Sequence, residues 1–330
     1  MWDDSLEVKA SAPAKTILFG EHFVVYGEPA LVLAIDNRAH ASAKIRADQR
    51  IHVKSPSLGF SGFFEGEVFQ AERGGEEARV KLEPIKIAVQ KVLDLSKKEV
   101  GVNVEVRSSI PVAAGLGSSA AVAASVAAAV GQLLNMKLSK EEIFRIAFEA
   151  ERFVHGTPSG IDPAVSTYGG VLLFYKDKGF TRIDVEEDIP LVIGYTGVER
   201  STGELVARVR EGWEHYPSIF DRIFKTGGKV VLRAVRALKI GDFHALGELM
   251  NINHELLCAV GVSDESIERL VYAARKAGAL GAKLTGAGGG GCMIALSLPE
   301  KQEQVVKAIE RAGGTAFIAR KTEEGVRIER

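Results

Sequence analysis

Residues 111–120, Pro-Val-Ala-Ala-Gly-Leu-Gly-Ser-Ser-Ala, join two segments of opposite periodicity. Upstream, Val102, Val104 and Val106 alternate with Asn103, Glu105 and Arg107, the pattern of a half-buried strand. Downstream, residues 120–134 are mostly Ala, Val and Leu, which specifies a buried helix of high intrinsic propensity. The stretch is therefore a strand–loop–helix hinge. Gly115 and Gly117 allow a tight turn and close backbone approach to a ligand. Ser118 and Ser119 fall where the helix should start and its N–H groups are free. Such an end either binds a phosphate chain or simply caps a helix after a glycine turn. It is not a Walker A loop, because no Lys follows the glycines. Any cation for phosphates must come from elsewhere.

The rest of the chain supplies candidates. Residues 16–19 read as a short strand ended by Gly20, with Glu21 and His22 directly after it and Lys15 before it. Taken alone, His22 reads as a structural histidine and Lys15 as a solvated edge residue. Residues 31–35 and 40–45 read as two more strands, residues 49–75 as strand and loop, and residues 83–95 as a helix with apolar spacing. Ser139 and Glu142 form a capping box for a helix over 139–154 that carries Glu151, by itself a solvated helix charge. The helix is expected to stop at residues 155–158, His-Gly-Thr-Pro. Asp162 then lies before Pro163 in a loop, where an acid could equally cap the next turn.

From residue 177 to 190 charge rises and the apolar pattern fades, which sets the expected domain boundary, with domains at 1–183 and 184–330. Beyond it come a strand ending at Tyr195, a helix opened by Ser201 and Thr202, helical spacing at 230–238, 243–258 and 264–277, and strands at 293–297, 315–319 and 325–328. Residues 283–292, Lys-Leu-Thr-Gly-Ala-Gly-Gly-Gly-Gly-Cys, read as a second backbone surface closing on a ligand. Four successive glycines are entropically costly, and both flanks are too apolar for a linker.

Composition narrows the classes. A 330-residue chain of net charge −1 has ample core and no electrostatic case for nucleic acid or membrane surfaces. Cys258 and Cys292 have neither metal-ligand spacing nor a disulfide framework, which suits small buried residues in a reducing compartment. With no leader-like start and no long apolar run, a cytoplasmic location is expected.

Three segments in this order, residues 15–27, 111–121 and 283–292, resemble the three motifs of the GHMP kinase superfamily, which includes galactokinase, homoserine kinase, mevalonate kinase and phosphomevalonate kinase. Residues 20–27 (Gly-Glu-His-Phe-Val-Val-Tyr-Gly) and 155–162 (His-Gly-Thr-Pro-Ser-Gly-Ile-Asp) are similar to the mevalonate kinases in particular, as are residues 250–254 with 260–262. Pro163 departs from the Asn common at that place and stiffens the loop. The resemblance implies an α+β, two-domain fold: a mixed sheet with helices in the first domain, an α/β sandwich in the second, and the active site between them. It implies ATP-dependent phosphorylation of the mevalonate C5 hydroxyl, with ATP and Mg²⁺ as cofactors and a homodimer as an admissible assembly. Residue by residue, Pro111, Ala114, Gly115, Leu116, Gly117, Ser118, Ser119 and Ala120 would cradle ATP, with Gly286, Gly288 and Gly289 closing over it. Ser119 and Glu151 would hold Mg²⁺. Asp162 and Lys15 would be catalytic, and Glu21, His22, Tyr195 and Thr202 would face the substrate. Sister kinases acting on phosphomevalonate, or on the 3-hydroxyl of mevalonate, would share the ATP loop. A non-catalytic nucleotide binder would not need Lys15, Glu151 and Asp162 together. Against a dinucleotide-binding oxidoreductase, Gly115 and Gly117 lack the third spaced glycine, and residues 131–140 contain no acid to close such a unit.

Overall fold

The computed structural model describes residues 6–111, 115–155, 159–198 and 202–329. The expected contributions of Ala114, of the 156–158 helix stop and of Ser201 lie outside the described residues. Two long antiparallel strands, β1 (Val8–Phe19) and β2 (Ala30–Arg46), are joined through a 3-10 turn at Phe23–Tyr26. Then come β3 (Ile51–Ser55), β4 (Phe60–Glu65), β5 (Val68–Arg73), α1 (Gly75–Ser96), β6 (Gly101–Ser108) and α2 (Ser118–Leu133). After these follow α3 (Lys140–His155), α4 (Ile161–Tyr168), β7 (Val171–Tyr175) and β8 (Gly179–Ile183). The second half runs β9 (Leu191–Tyr195), α5 (Thr202–His215), α6 (Pro217–Lys239), α7 (Phe243–Ala259), α8 (Glu265–Lys276), β10 (Gly281–Leu284), β11 (Cys292–Leu296), α9 (Pro299–Arg311), β12 (Thr315–Ala319) and β13 (Arg327–Glu329).

Among the described residues these strands form a nine-stranded and a four-stranded sheet. The larger follows the order β13-β1-β2-β6-β3-β4-β5, with β7 also on β2 and β8 on β7. It is mixed, because β3 and β6 are parallel. Small residues let α2 lie close on β1 and β2: Ala121, Ala124 and Ala128 share one buried core with Ala10, Ala12, Ala39 and Ala41. The smaller sheet is antiparallel, in the order β10-β11-β9-β12, and is covered by Ile267, Leu270 and Val271 of α8 and Val305 and Ile309 of α9. The chain end does not stay with it. β13 pairs with β1, and Arg38 fastens the segment before it by donating to the carbonyls of Gly325 (2.6 Å) and Glu324 (3.3 Å).

Several elements differ from their sequence expectations. The strands expected at 31–35 and 40–45 are one strand; Pro13 pairs with Arg38 and Ala14 with Ile35, so Asp36 and Asn37 form a bulge that breaks the alternation. Asp162 lies in the first turn of α4 rather than in a loop. Pro163 misled here, because a proline in a first helical turn forfeits no intrahelical bond. Residues 23–26 form a 3-10 turn. α1 starts at Gly75 and contains Pro84, and α6 starts at Pro217, its first half concealed by Gly227 and Gly228. The strand β8 and the helix α9 fall outside the expected elements, since their charged, exposed faces dominate the local sequence.

Candidate active site

The expected loop is a tight turn leading into α2. Gly115 and Gly117 have φ of 74° and 71°, and Gly117 is the N-cap, so α2 starts at Ser118 as the sequence implies. Its first N–H groups have no intrahelical acceptor. Lys15 N–H donates to Leu116 O at 2.9 Å, which ties the loop to β1. The side chain of Lys15, 6% exposed, pairs with Asp162 of α4, Nζ to Oδ1 3.2 Å. A Cβ on Gly117 would stand 2.9 Å from Lys15 Cγ and 3.3 Å from Asp162 Oδ2. The loop, the lysine and the acid are thus in contact, although three separate elements supply them.

Ser119, in the first turn of α2, donates its hydroxyl to the carboxylate of Glu151 on α3. Glu151 is 3% exposed, so it is no solvated helix charge. A hydroxyl and a buried carboxylate side by side are hard oxygen donors, the chemistry that Mg²⁺ prefers. The capping box that starts α3 is formed, with Ser139 N–H donating to Glu142 Oε2 at 2.7 Å and Glu142 N–H to Ser139 Oγ at 3.2 Å.

The glycine segment between β10 and β11 faces this loop: a Cβ on Gly286 would lie 3.9 Å from Gly115 O. Gly288 and Gly289 have φ of 81° and 64°, and Gly289 N–H donates to Val262 O at 2.8 Å. A Cβ on Gly288 would stand 2.0 Å from Val262 O, so the residue must be glycine. Thr285 Oγ1 bonds the backbone of Ile17 both ways, accepting from N–H at 3.1 Å and donating to O at 3.0 Å.

Glu21 and His22 are both buried beside this segment. His22 sits at φ 60°, a left-handed conformation that a non-glycine residue adopts at a cost. Its Nε2 lies 2.8 Å from Ala287 O; a carbonyl only accepts, so Nε2 carries the proton. Burial pushes the imidazole below its ordinary pKa. Glu21 meets Lys283, fully buried on β10, and receives Asn253 Nδ2 at 3.4 Å. Burial pushes the Glu21 carboxyl up and the Lys283 ammonium down, each opposed by the other's charge. Lys283 and Thr285 fall in the segment 283–292 and Asn253 in 250–254, both marked by the sequence, but without roles of their own; for Lys283 the signal is a charge enclosed by apolar neighbours, Ala282 and Leu284. Pro111 is half-buried just before the loop. Tyr195 ends β9 opposite Cys292 and Thr315, and Thr202 opens α5 as an exposed residue.

A second polar cluster comprises His254, Cys258 and Glu268, whose ligand-type atoms lie within 4.8 Å of one another. Hydrogen bonds account for it. His254 Nδ1 accepts Leu284 N–H at 3.3 Å, so Nε2 bears the proton and donates to Glu268 Oε1 at 3.1 Å. Cys258 Sγ, at 3.3 Å, and the Ser263 hydroxyl donate to the same oxygen. A metal would have to displace that Nε2 proton and leave Leu284 N–H facing another donor. Both cysteines are free; burial pushes each thiol up to about 12. No helix among the described residues is long and apolar enough to cross a membrane.

The GHMP kinases N terminal domain family matches residues 84–170, and the GHMP kinases C terminal family matches residues 234–315. A mevalonate kinase of Pyrococcus abyssi is 49% identical over 98% of both chains, and one of Thermococcus sibiricus is 46% identical over 98% of this chain and 99% of its own. The crystal structure of L. major mevalonate kinase in complex with R-mevalonate superposes with a TM-score of 0.84 at 29% identity, covering 98% of this chain and all (100%) of that one. Two matched domain families in the expected order and near-full-length relatives at these identities show that the chain belongs to the GHMP kinases and, among them, to the mevalonate kinases.

Proposed function

We propose that this mevalonate kinase transfers the γ-phosphoryl group of ATP to the C5 hydroxyl of mevalonate in the cleft between its two sheets. The observation that carries this reading is the Lys15–Asp162 pair, 3.2 Å apart and in contact with Gly117 at the mouth of α2. Phosphoryl transfer needs positioned groups and charge neutralisation more than covalent help from the protein. In this reading Gly115 to Ala120 cradle the phosphates, chiefly on the free N–H groups where α2 starts. Gly286, Gly288 and Gly289 close over them from the second domain.

Asp162 orients the C5 hydroxyl and takes its proton as the oxygen bonds to the γ-phosphorus. The bond to the β–γ bridging oxygen breaks, and ADP leaves with that electron pair. Lys15 fixes Asp162 and offsets the charge on the transferring group, supplying the cation that the loop lacks. Ser119 and Glu151 fit a Mg²⁺ ion by donor type, and such an ion would neutralise the nucleotide phosphates when bound. His22, with its ring fixed by Ala287 O, together with Tyr195 and Thr202, borders the mevalonate side. The domain boundary falls at 183/184, between β8 and β9, with β13 returning to the first domain.

The test is a substrate panel with ATP, read by ADP release and by phosphorus NMR of the product. A C5 monophosphate from mevalonate is expected. Phosphate on the 3-hydroxyl, or turnover with phosphomevalonate and not mevalonate, would overturn the assignment.

A further inference from the structure

Five polar residues, Glu21, His22, Asn253, Lys283 and Thr285, connect the two domains beside the proposed site, and the phosphoryl-transfer scheme above uses only His22. Lys283 Nζ contacts both the Glu21 carboxylate and Leu284 O, at 0% exposure against 1% for Glu21. Asn253, also fully buried, donates to the second Glu21 oxygen at 3.4 Å. Both carboxylate oxygens are therefore held by second-domain side chains. On either side of Glu21, Thr285 is bonded to Ile17 and His22 to Ala287. Together these contacts lock residues 17–22 to residues 283–287.

Stability alone is a poor reason for such a network. A buried ion pair is often no better than apolar residues of the same volume. Asn253 Oδ1 is buried with no partner, a further cost that folding would not select. What the network does fix is geometry. Lys283 is the penultimate residue of β10, three positions before Gly286, which faces Gly115, and only Gly20 separates Glu21 from the strand that carries Lys15.

We propose that Lys283 and Asn253 are positioning residues for phosphoryl transfer: they act through Glu21 to hold the second-domain glycine segment in register with Lys15 and the loop before α2, so that Glu21 serves the protein rather than the substrate. This rests on the kinase site proposed above. Misplacing reacting groups by about 1 Å costs on the order of 10²-fold in rate, so the network should govern kcat.

The experiment compares wild type with Glu21→Gln, Lys283→Met and the double variant Glu21→Gln/Lys283→Met, by steady-state kinetics and thermal unfolding. Lys283→Met leaves a carboxylate buried without its partner and can fail to fold. Glu21→Gln and the double variant, which leaves no unpaired charge, keep the proposal testable. The expected result is a kcat lowered by about 10²-fold in each folded variant, with the KM for mevalonate within about twofold of wild type and the double no worse than the more damaged single. A folded double variant with wild-type kcat would reduce the network to a structural role and overturn the proposal. So would a large rise in mevalonate KM in Glu21→Gln that Lys283→Met does not reproduce, since that marks direct substrate contact. Wild-type inactivity toward mevalonate would sink the kinase reading itself, whereas wild-type turnover beside an indifferent double variant sinks only the positioning role.

Discussion

Lys15 and Gly117 meet so closely that a single added carbon would collide: a Cβ on Gly117 would stand 2.9 Å from Lys15 Cγ. The absent side chain is what lets the loop before α2 rest directly on the Lys15 side chain. With φ at 71°, the position excludes other residues twice over, by conformation and by space.

Asp162→Asn keeps the shape of the first turn of α4 but removes the charge paired with Lys15. The expected outcome is a kcat loss of about 10²–10⁴-fold with ATP affinity nearly unchanged, since a proton acceptor acts chiefly in the transition state. Nucleotide titration beside steady-state assay checks both halves; near-normal turnover would remove Asp162 from the mechanism.

Ser119→Ala and Glu151→Gln test the metal assignment separately from the nucleotide cradle. Each should raise the Mg²⁺ concentration for half-maximal activity by about 10–100-fold, with partial recovery at high Mg²⁺. A Mg²⁺ titration at fixed free ATP reads this directly, and an unchanged midpoint in both variants would refute the pair as ligands.

Gly227→Ala should destabilise the protein although the residue lies inside α6. In an exposed helix the change would gain about 1 kcal/mol. Here the new Cβ would fall 2.2 Å from the ring of Phe23, which is fully buried next to Phe224. Overpacking of this kind costs about 1–3 kcal/mol, so a lower Tm is expected. A raised Tm would show that the Phe23 ring yields easily.

Acidification should weaken the fold through His22 and His254. Burial holds both below the ordinary imidazole pKa of 6.5, and for His254 it outweighs the attraction of Glu268, so that contact is a neutral donor to a carboxylate. Below pH 6.5 the unfolded chain takes up protons that the folded chain does not. The stability tied to these groups is therefore complete above that pH and is lost as pH falls. Denaturant unfolding at stepped pH checks this; His22→Gln and His254→Gln should each flatten the slope between about pH 5 and 6.5. An unchanged slope in both would exclude these imidazoles as its source.

How much was legible beforehand depends on whether the information is local. Alternation over residues 102–106 and the Ala-rich run after Ser119 named the strand and helix around the loop, because periodicity and propensity act within one element. Asp242 and Asp264 cap α7 and α8 by accepting from Ala245 and Ile267, bonds that short-range chemistry fixes. Glycine and proline signals were read less well where their meaning is tertiary. Gly227 and Gly228 lie just before the helical spacing at 230–238, yet they sit inside α6 as a notch for Phe23 and Glu28. Pro163 looked like a loop, yet it lies in the first turn of the helix that presents Asp162.

The sequence by itself determined which parts are present and in what order: a lysine, a glycine turn before a helix start, an acid and a second glycine segment. Only the tertiary structure decided how they act together. Lys15, Gly117 and Asp162 come from β1, the N-cap of α2 and α4, and their contact exists only once the sheet and helices pack. Likewise Glu21 could be placed near the cleft by its neighbours, but its engagement by Lys283 and Asn253 was invisible in one dimension. A buried charge selects its partner by proximity in the low-dielectric interior, and sequence spacing carries no record of that choice.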